Sequence, residues 1–149
     1  METHKFDDIK EVFCGYSNAK KIRHLATSGG IASSLVLYMF NTKLIASALS
    51  FTWNESQLSY SPTIIEDADS YRCVGSIYQE ISIIHFLKRN LDNIKSPFLC
   101  FALPCQARGI RALLEARGIK TYIIQLTCSS QQTKAATNYL LQRVCVSQN

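Results

Sequence analysis

Phe98-Leu99-Cys100-Phe101-Ala102-Leu103-Pro104-Cys105-Gln106 is the stretch on which the fold turns. A continuous apolar run, entered through Pro97 and closed by Pro104, reads as a strand buried on both faces. Helical spacing follows from Gln106 to Arg117, with Ile110, Leu113 and Leu114 inward and Arg108, Arg111 and Glu115 outward. Gly118 stands where a helix end takes a left-handed residue. Thr121 to Thr127 predicts the next strand. Strand, helix and strand with short joints make a βαβ unit at about 98–127, with parallel strands and a right-handed crossover. Ligands of open parallel sheets sit at the carboxyl edge of the strands. Cys105 and Cys128 each follow a strand end, so the pattern places both on that edge.

Outward from this unit the same α/β alternation continues. Ile31 to Phe40 is apolar nearly all round and predicts a buried helix, with Ser28 as its N-cap. Glu11 to Tyr16, Leu44 to Phe51 and Ser59 to Ile65 predict strands, the last two joined as a hairpin through Trp53-Asn54-Glu55-Ser56. Asp67 to Tyr71 reads as a short helix and Cys73 to Tyr78 as a loop. Helices are predicted from about Gln79 to Leu91 and from Thr133 to Val144, the latter with Ala136, Tyr139 and Leu140 inward. The expected fold is α/β: a mixed or mainly parallel sheet flanked by helices. No repeat, low-complexity tract or linker interrupts it, so 1–149 reads as one domain.

Composition narrows the function classes. With 149 residues the chain can bury about 70% of its unfolded surface, so it needs neither disulfide nor metal to fold. A charged share of 18%, below the usual value of about 25%, argues against disorder. The net charge of +5 suits an anionic ligand. Its basic residues are scattered, which does not suit nucleic acid. The start, Met1-Glu2-Thr3-His4-Lys5, lacks the pattern of an export signal, and Leu25 to Thr42 is too polar to span a bilayer. A cytoplasmic protein with no membrane insertion is expected. Its six cysteines are then buried hydrophobes, nucleophiles or metal ligands rather than disulfides.

Three short motifs carry chemistry. Thr27-Ser28-Gly29-Gly30 opens a helix, where unpaired N–H groups and the dipole favour an anion, and Lys20, Lys21 and Arg23 lie just upstream. The same residues also read as an ordinary capped helix. Gly75-Ser76-Ile77-Tyr78 is a turn that becomes a cofactor contact only in context. Pro104-Cys105-Gln106 puts a thiol at a helix start, where the dipole favours the thiolate; a buried, inert cysteine is the alternative. No Cys-x-x-Cys occurs, and His4, His24 and His85 show no ligand spacing.

Taken in order, Thr27-Ser28-Gly29-Gly30, Gly75-Ser76-Ile77-Tyr78, Leu103-Pro104-Cys105-Gln106 and Thr127-Cys128 resemble the beta subunits of coenzyme F420 (deazaflavin) hydrogenases and dehydrogenases. The resemblance runs from about Arg23 to Gln131. It implies an oxidoreductase module that passes electrons between an iron–sulfur cluster and a hydride carrier through FAD. Thr27, Ser28, Gly29, Gly30, Gly75, Ser76 and Tyr78 would then approach the flavin nucleotide, and Cys105 and Cys128 would ligate a 4Fe–4S cluster. A redox partner protein or ferredoxin-type subunit is implied, and an oligomer is compatible with it. Ala102-Leu103 stands where the family has Gly-Thr, and Ser129-Ser130 where it has His-Gly. These departures point to the alternative, a degenerate non-catalytic relative acting as a nucleotide-binding or assembly subunit.

Overall fold

The computed structural model describes residues 11–143. Its elements run α1 (Lys20–Leu25), α2 (Ile31–Asn41), β1 (Ser47–Asn54), β2 (Ser59–Ile65), α3 (Ile83–Arg89), β3 (Phe98–Ala102), α4 (Pro104–Glu115), β4 (Thr121–Gln125) and α5 (Lys134–Arg143). Among the described residues the strands form one mixed sheet in the order β2-β1-β3-β4. β1 and β2 are an antiparallel hairpin, with Ala48 opposite Ile65 and Asn54 opposite Ser59. β1 runs parallel to β3, and β3 parallel to β4 with Phe98 opposite Thr121 and Ala102 opposite Gln125. The βαβ unit and the α/β class are therefore as the sequence indicates.

Burial of β3 on both faces follows from its alternation. Phe98, Cys100 and Ala102 pack with Leu49, Ile83, Leu87, Ile110 and Leu114, beneath α3 and α4. Leu99 packs on the opposite side with Val36, Ile45, Ala48 and Ile65, beneath α2. Full burial of a Leu or Phe side chain stabilises the fold by about 1.5–3 kcal/mol, so these two clusters hold the three layers together. Gly118 takes φ of +66°, ending the α4 crossover in the left-handed region as expected.

Several local expectations are corrected. Glu11 to Tyr16 is not a strand. Asp67 to Tyr71 is a turn rather than a helix: Asp67 Oδ1 accepts from the Ser70 N–H at 2.7 Å. That bond holds the Asp67 carboxyl below its usual pKa and competes locally with helical pairing. The helix expected over 79–91 is confined to Ile83–Arg89, because Gln79 forms a parallel bridge with Gln132 instead. Strand β1 starts at Ser47 rather than Leu44. Helix α2 is not buried all round; Val36 is buried, whereas Ile31, Leu35 and Tyr38 are exposed. Likewise Ala136, Tyr139 and Leu140 of α5 are exposed rather than inward. Val144 lies outside the described residues. An apolar stripe identifies a face that can be buried, but contacts decide whether it is.

Candidate functional site

Above the carboxyl edge of the parallel strands lies a pocket of about 510 Å³. Leu49, Ser50 and Phe51 of β1, Phe101 and Ala102 of β3 and Ile124 of β4 form its floor. Thr27 to Leu35 form one wall and Val74 to Ile77 another, with Gln106 and Gln131 adding polar groups. Position and size both suit a small-molecule or cofactor site. Among the described residues no acidic, basic or histidine side chain lines it.

The first wall is built by long-range contacts. The expected N-cap, Ser28, is displaced: Gly30 is the cap of α2, with φ of +76°, and no side chain hydrogen-bonds to the cap position. A Cβ on Gly30 would lie 2.9 Å from Ile22 Cγ2, so both the conformation and the space call for glycine. The Gly29 carbonyl accepts from the Ser17 N–H at 2.7 Å. A Cβ there would meet the Gly15 carbonyl oxygen at 2.9 Å and Tyr16 at 3.1 Å. Gly29 thus admits the chain's own 15–17 segment. Ser34 Oγ donates to Ser17 Oγ at 2.8 Å, which ties the same segment to α2. Arg23 stacks 3.8 Å over the Tyr16 ring, adding a cation on the outside of this corner.

The second wall is joined to the first by one bond. The Ser76 N–H donates to Thr27 Oγ1 at 2.7 Å. A Cβ on Gly75 would fall 2.6 Å from that same oxygen, so glycine is needed for the approach. Thr27, Ser28, Gly29, Gly30, Gly75 and Ser76 therefore all line a single pocket. Tyr78 does not line it; it is 63% exposed, and its carbonyl accepts from the Gln132 N–H at 2.7 Å. Ser33 and Tyr71 do line it and carried no motif signal. Their Oγ–OH contact of 3.0 Å joins residues far apart in sequence, and no local pattern announces it.

Cys105 occupies the first turn of α4, which begins at Pro104 rather than at Gln106. Cys128 follows β4, so both cysteines come after the carboxyl ends of neighbouring parallel strands. Both are exposed, and neither lines the pocket, although Leu103, Gln106 and Leu126 beside them do. Cys100 is packed away in the core, where burial pushes its thiol up to about 12. Among the described residues no group of three His, Cys, Asp or Glu side chains is placed to hold a metal. Among them, too, no helix is long and apolar enough to cross a membrane.

A family model described as coenzyme F420 hydrogenase/dehydrogenase, beta subunit N-term, matches residues 12–88, about half of the chain. No curated protein matches by sequence. Among solved structures, a chain of the xenon-derivatised F420-reducing nickel–iron hydrogenase complex from Methanosarcina barkeri superposes with a TM-score of 0.72. The identity is 17%, over 85% of this chain and 47% of that one, so the likeness is one of fold. The present chain spans about half the length of that relative.

Proposed function

The chain belongs to the coenzyme F420 hydrogenase/dehydrogenase beta-subunit family, and from that premise we propose that it is an oxidoreductase electron-transfer module binding FAD in the carboxyl-edge pocket. The observation that carries this reading is the Thr27–Ser76 bond, which gathers the Ser-Gly-Gly and Gly-Ser turns around one cavity. The residues present fit such a ligand. The start of α2, with no side-chain cap, offers backbone N–H groups and a dipole to an anion, with Ser28 exposed beside it. Leu49, Phe51, Phe101 and Ile124 supply apolar surface for a flat ring, and Ser50, Gln106 and Gln131 supply hydrogen bonds at its edges. FAD, when bound, supplies the hydride and electron chemistry, and the chain orients it. With no charged side chain in the lining among the described residues, these groups bind and position rather than titrate.

Cys105 and Cys128 are proposed as thiolate ligands on the same edge. Two thiolates fall short of the four that a 4Fe–4S cluster takes. A redox partner protein or ferredoxin-type subunit is proposed because the similar chain is part of a hydrogenase complex. A second reading, a nucleotide-binding or assembly subunit without turnover, is favoured by Ala102-Leu103 and Ser129-Ser130 in the cysteine motifs. Anaerobic titration of the purified chain with FAD, followed by flavin fluorescence and absorption, tests binding. Reduced coenzyme F420 added to the loaded protein should then bleach the flavin bands. Binding without bleaching selects the second reading in its nucleotide-binding form, and no binding removes the FAD reading and leaves the assembly role.

A further inference from the structure

The wall of the pocket contains a hydrogen-bonded chain that no motif reading assigns. Ser33, on the buried face of α2, has its Oγ 3.0 Å from Tyr71 Oη and 3.2 Å from Cys73 Sγ. Cys73 Sγ in turn donates to the Ile22 carbonyl oxygen at 4.0 Å. The Ser33 hydroxyl can donate to Tyr71 or accept from it. In either direction the phenolic oxygen of Tyr71, with its two lone pairs, keeps at least one for a further donor. Tyr71 and Ser33 both line the pocket, and Cys73 does not. Burial raises the Tyr71 pKa above its usual value, which keeps the phenol protonated.

We infer that Tyr71 is a positioning and specificity residue of the pocket, its oxygen held as a hydrogen-bond acceptor for a ring N–H of a neutral heteroaromatic ligand. This rests on the proposal that the pocket takes FAD, whose oxidised ring carries one such donor, the imide N–H. The absence of any charged side chain from the lining, among the described residues, makes this neutral contact matter for orientation.

Two variants and two ligands test it. Tyr71→Phe keeps the ring and removes the oxygen; Ser33→Ala removes the hydroxyl that holds the Tyr71 oxygen in place. Binding of FAD, and of the analogue methylated at the imide nitrogen, is measured by flavin fluorescence on the full chain. Expected for Tyr71→Phe is a loss of FAD affinity of about five- to tenfold, the range of one neutral hydrogen bond, with little change for the methylated analogue. Ser33→Ala should weaken FAD by a smaller factor in the same selective way. A purely structural role would weaken both ligands equally, and that result overturns the inference while leaving FAD binding in place. Failure of the unaltered chain to bind FAD removes the functional reading and this inference together.

Discussion

The Pro-Cys-Gln corner and the Ser-Gly-Gly corner face the same pocket but are built in opposite ways. The first is local. β3, α4 and β4 follow one another in sequence, and Gln106 makes its capping contacts within the same turn: its side chain accepts from the Leu103 N–H at 3.3 Å, and its own N–H donates to the Leu103 carbonyl at 2.9 Å. The second is assembled from pieces distant in sequence. Ser17 binds Gly29, Ser76 binds Thr27, and Tyr71 and Cys73 bind Ser33. A corner made by neighbours can be inferred from spacing, whereas a corner made by chain crossings shows in sequence only as glycines without an evident purpose. It should also be the first to open, because each crossing rests on one or two bonds.

Four substitutions should break or sharpen this contrast. The largest effect is expected from Leu114→Ala, which truncates a fully buried side chain on the inner face of α4. It should destabilise the whole domain by about 2–5 kcal/mol, seen as one cooperative denaturant transition with lowered midpoint. Separate transitions for the two corners would contradict a shared core. Next comes Gly29→Val, whose Cβ collides with the Gly15 carbonyl oxygen. A cost of about 1–3 kcal/mol is expected, together with faster amide exchange at Ser17, whose bond to Gly29 would be lost, and weakened FAD binding. Unchanged stability would mean that the 15–17 segment does not press on Gly29.

Ser28→Glu should act on binding alone. Ser28 is exposed, and a carboxylate there repels an anion held at the start of α2, so FAD affinity should fall about tenfold or more with little change in Tm. Full affinity in this variant would move the anion site elsewhere. The smallest effect belongs to Thr27→Val, which keeps the side-chain shape and removes the acceptor of the Ser76 N–H. A loss of about 1 kcal/mol is expected, confined to amide exchange of the 74–77 segment. Global destabilisation of the size seen with Leu114→Ala would mean that this single bond holds the fold rather than one pocket wall.

The two corners also differed in how far they could be read in advance. The βαβ unit follows from Pro97, the apolar run and Gly118, because period, length and breakers are local properties. The hairpin over Ser59 to Ile65 was legible on the same grounds. Of the site, Thr27 to Gly30 with Gly75 and Ser76 were legible as turns. Ser33 and Tyr71 were not, since one serine on an apolar helix and one tyrosine in a turn carry no pattern. Tyr78, which the family resemblance places near the flavin, is outside the pocket lining, and its carbonyl accepts from the Gln132 N–H.

By itself the sequence determined the α/β alternation, the parallel βαβ unit, the carboxyl edge on which Cys105 and Cys128 fall and the motif order that marks the family. These depend on periodicity and on backbone-restricting residues, which act over a few positions. Only the tertiary structure decided that Gly30 rather than Ser28 caps α2, that Gly29 makes room for the chain itself, and that Tyr71 meets Ser33 at the pocket wall. Those outcomes depend on which distant backbone and side-chain atoms arrive within about 3 Å, a distance at which hydrogen bonds and steric contacts are settled by packing and not by local preference.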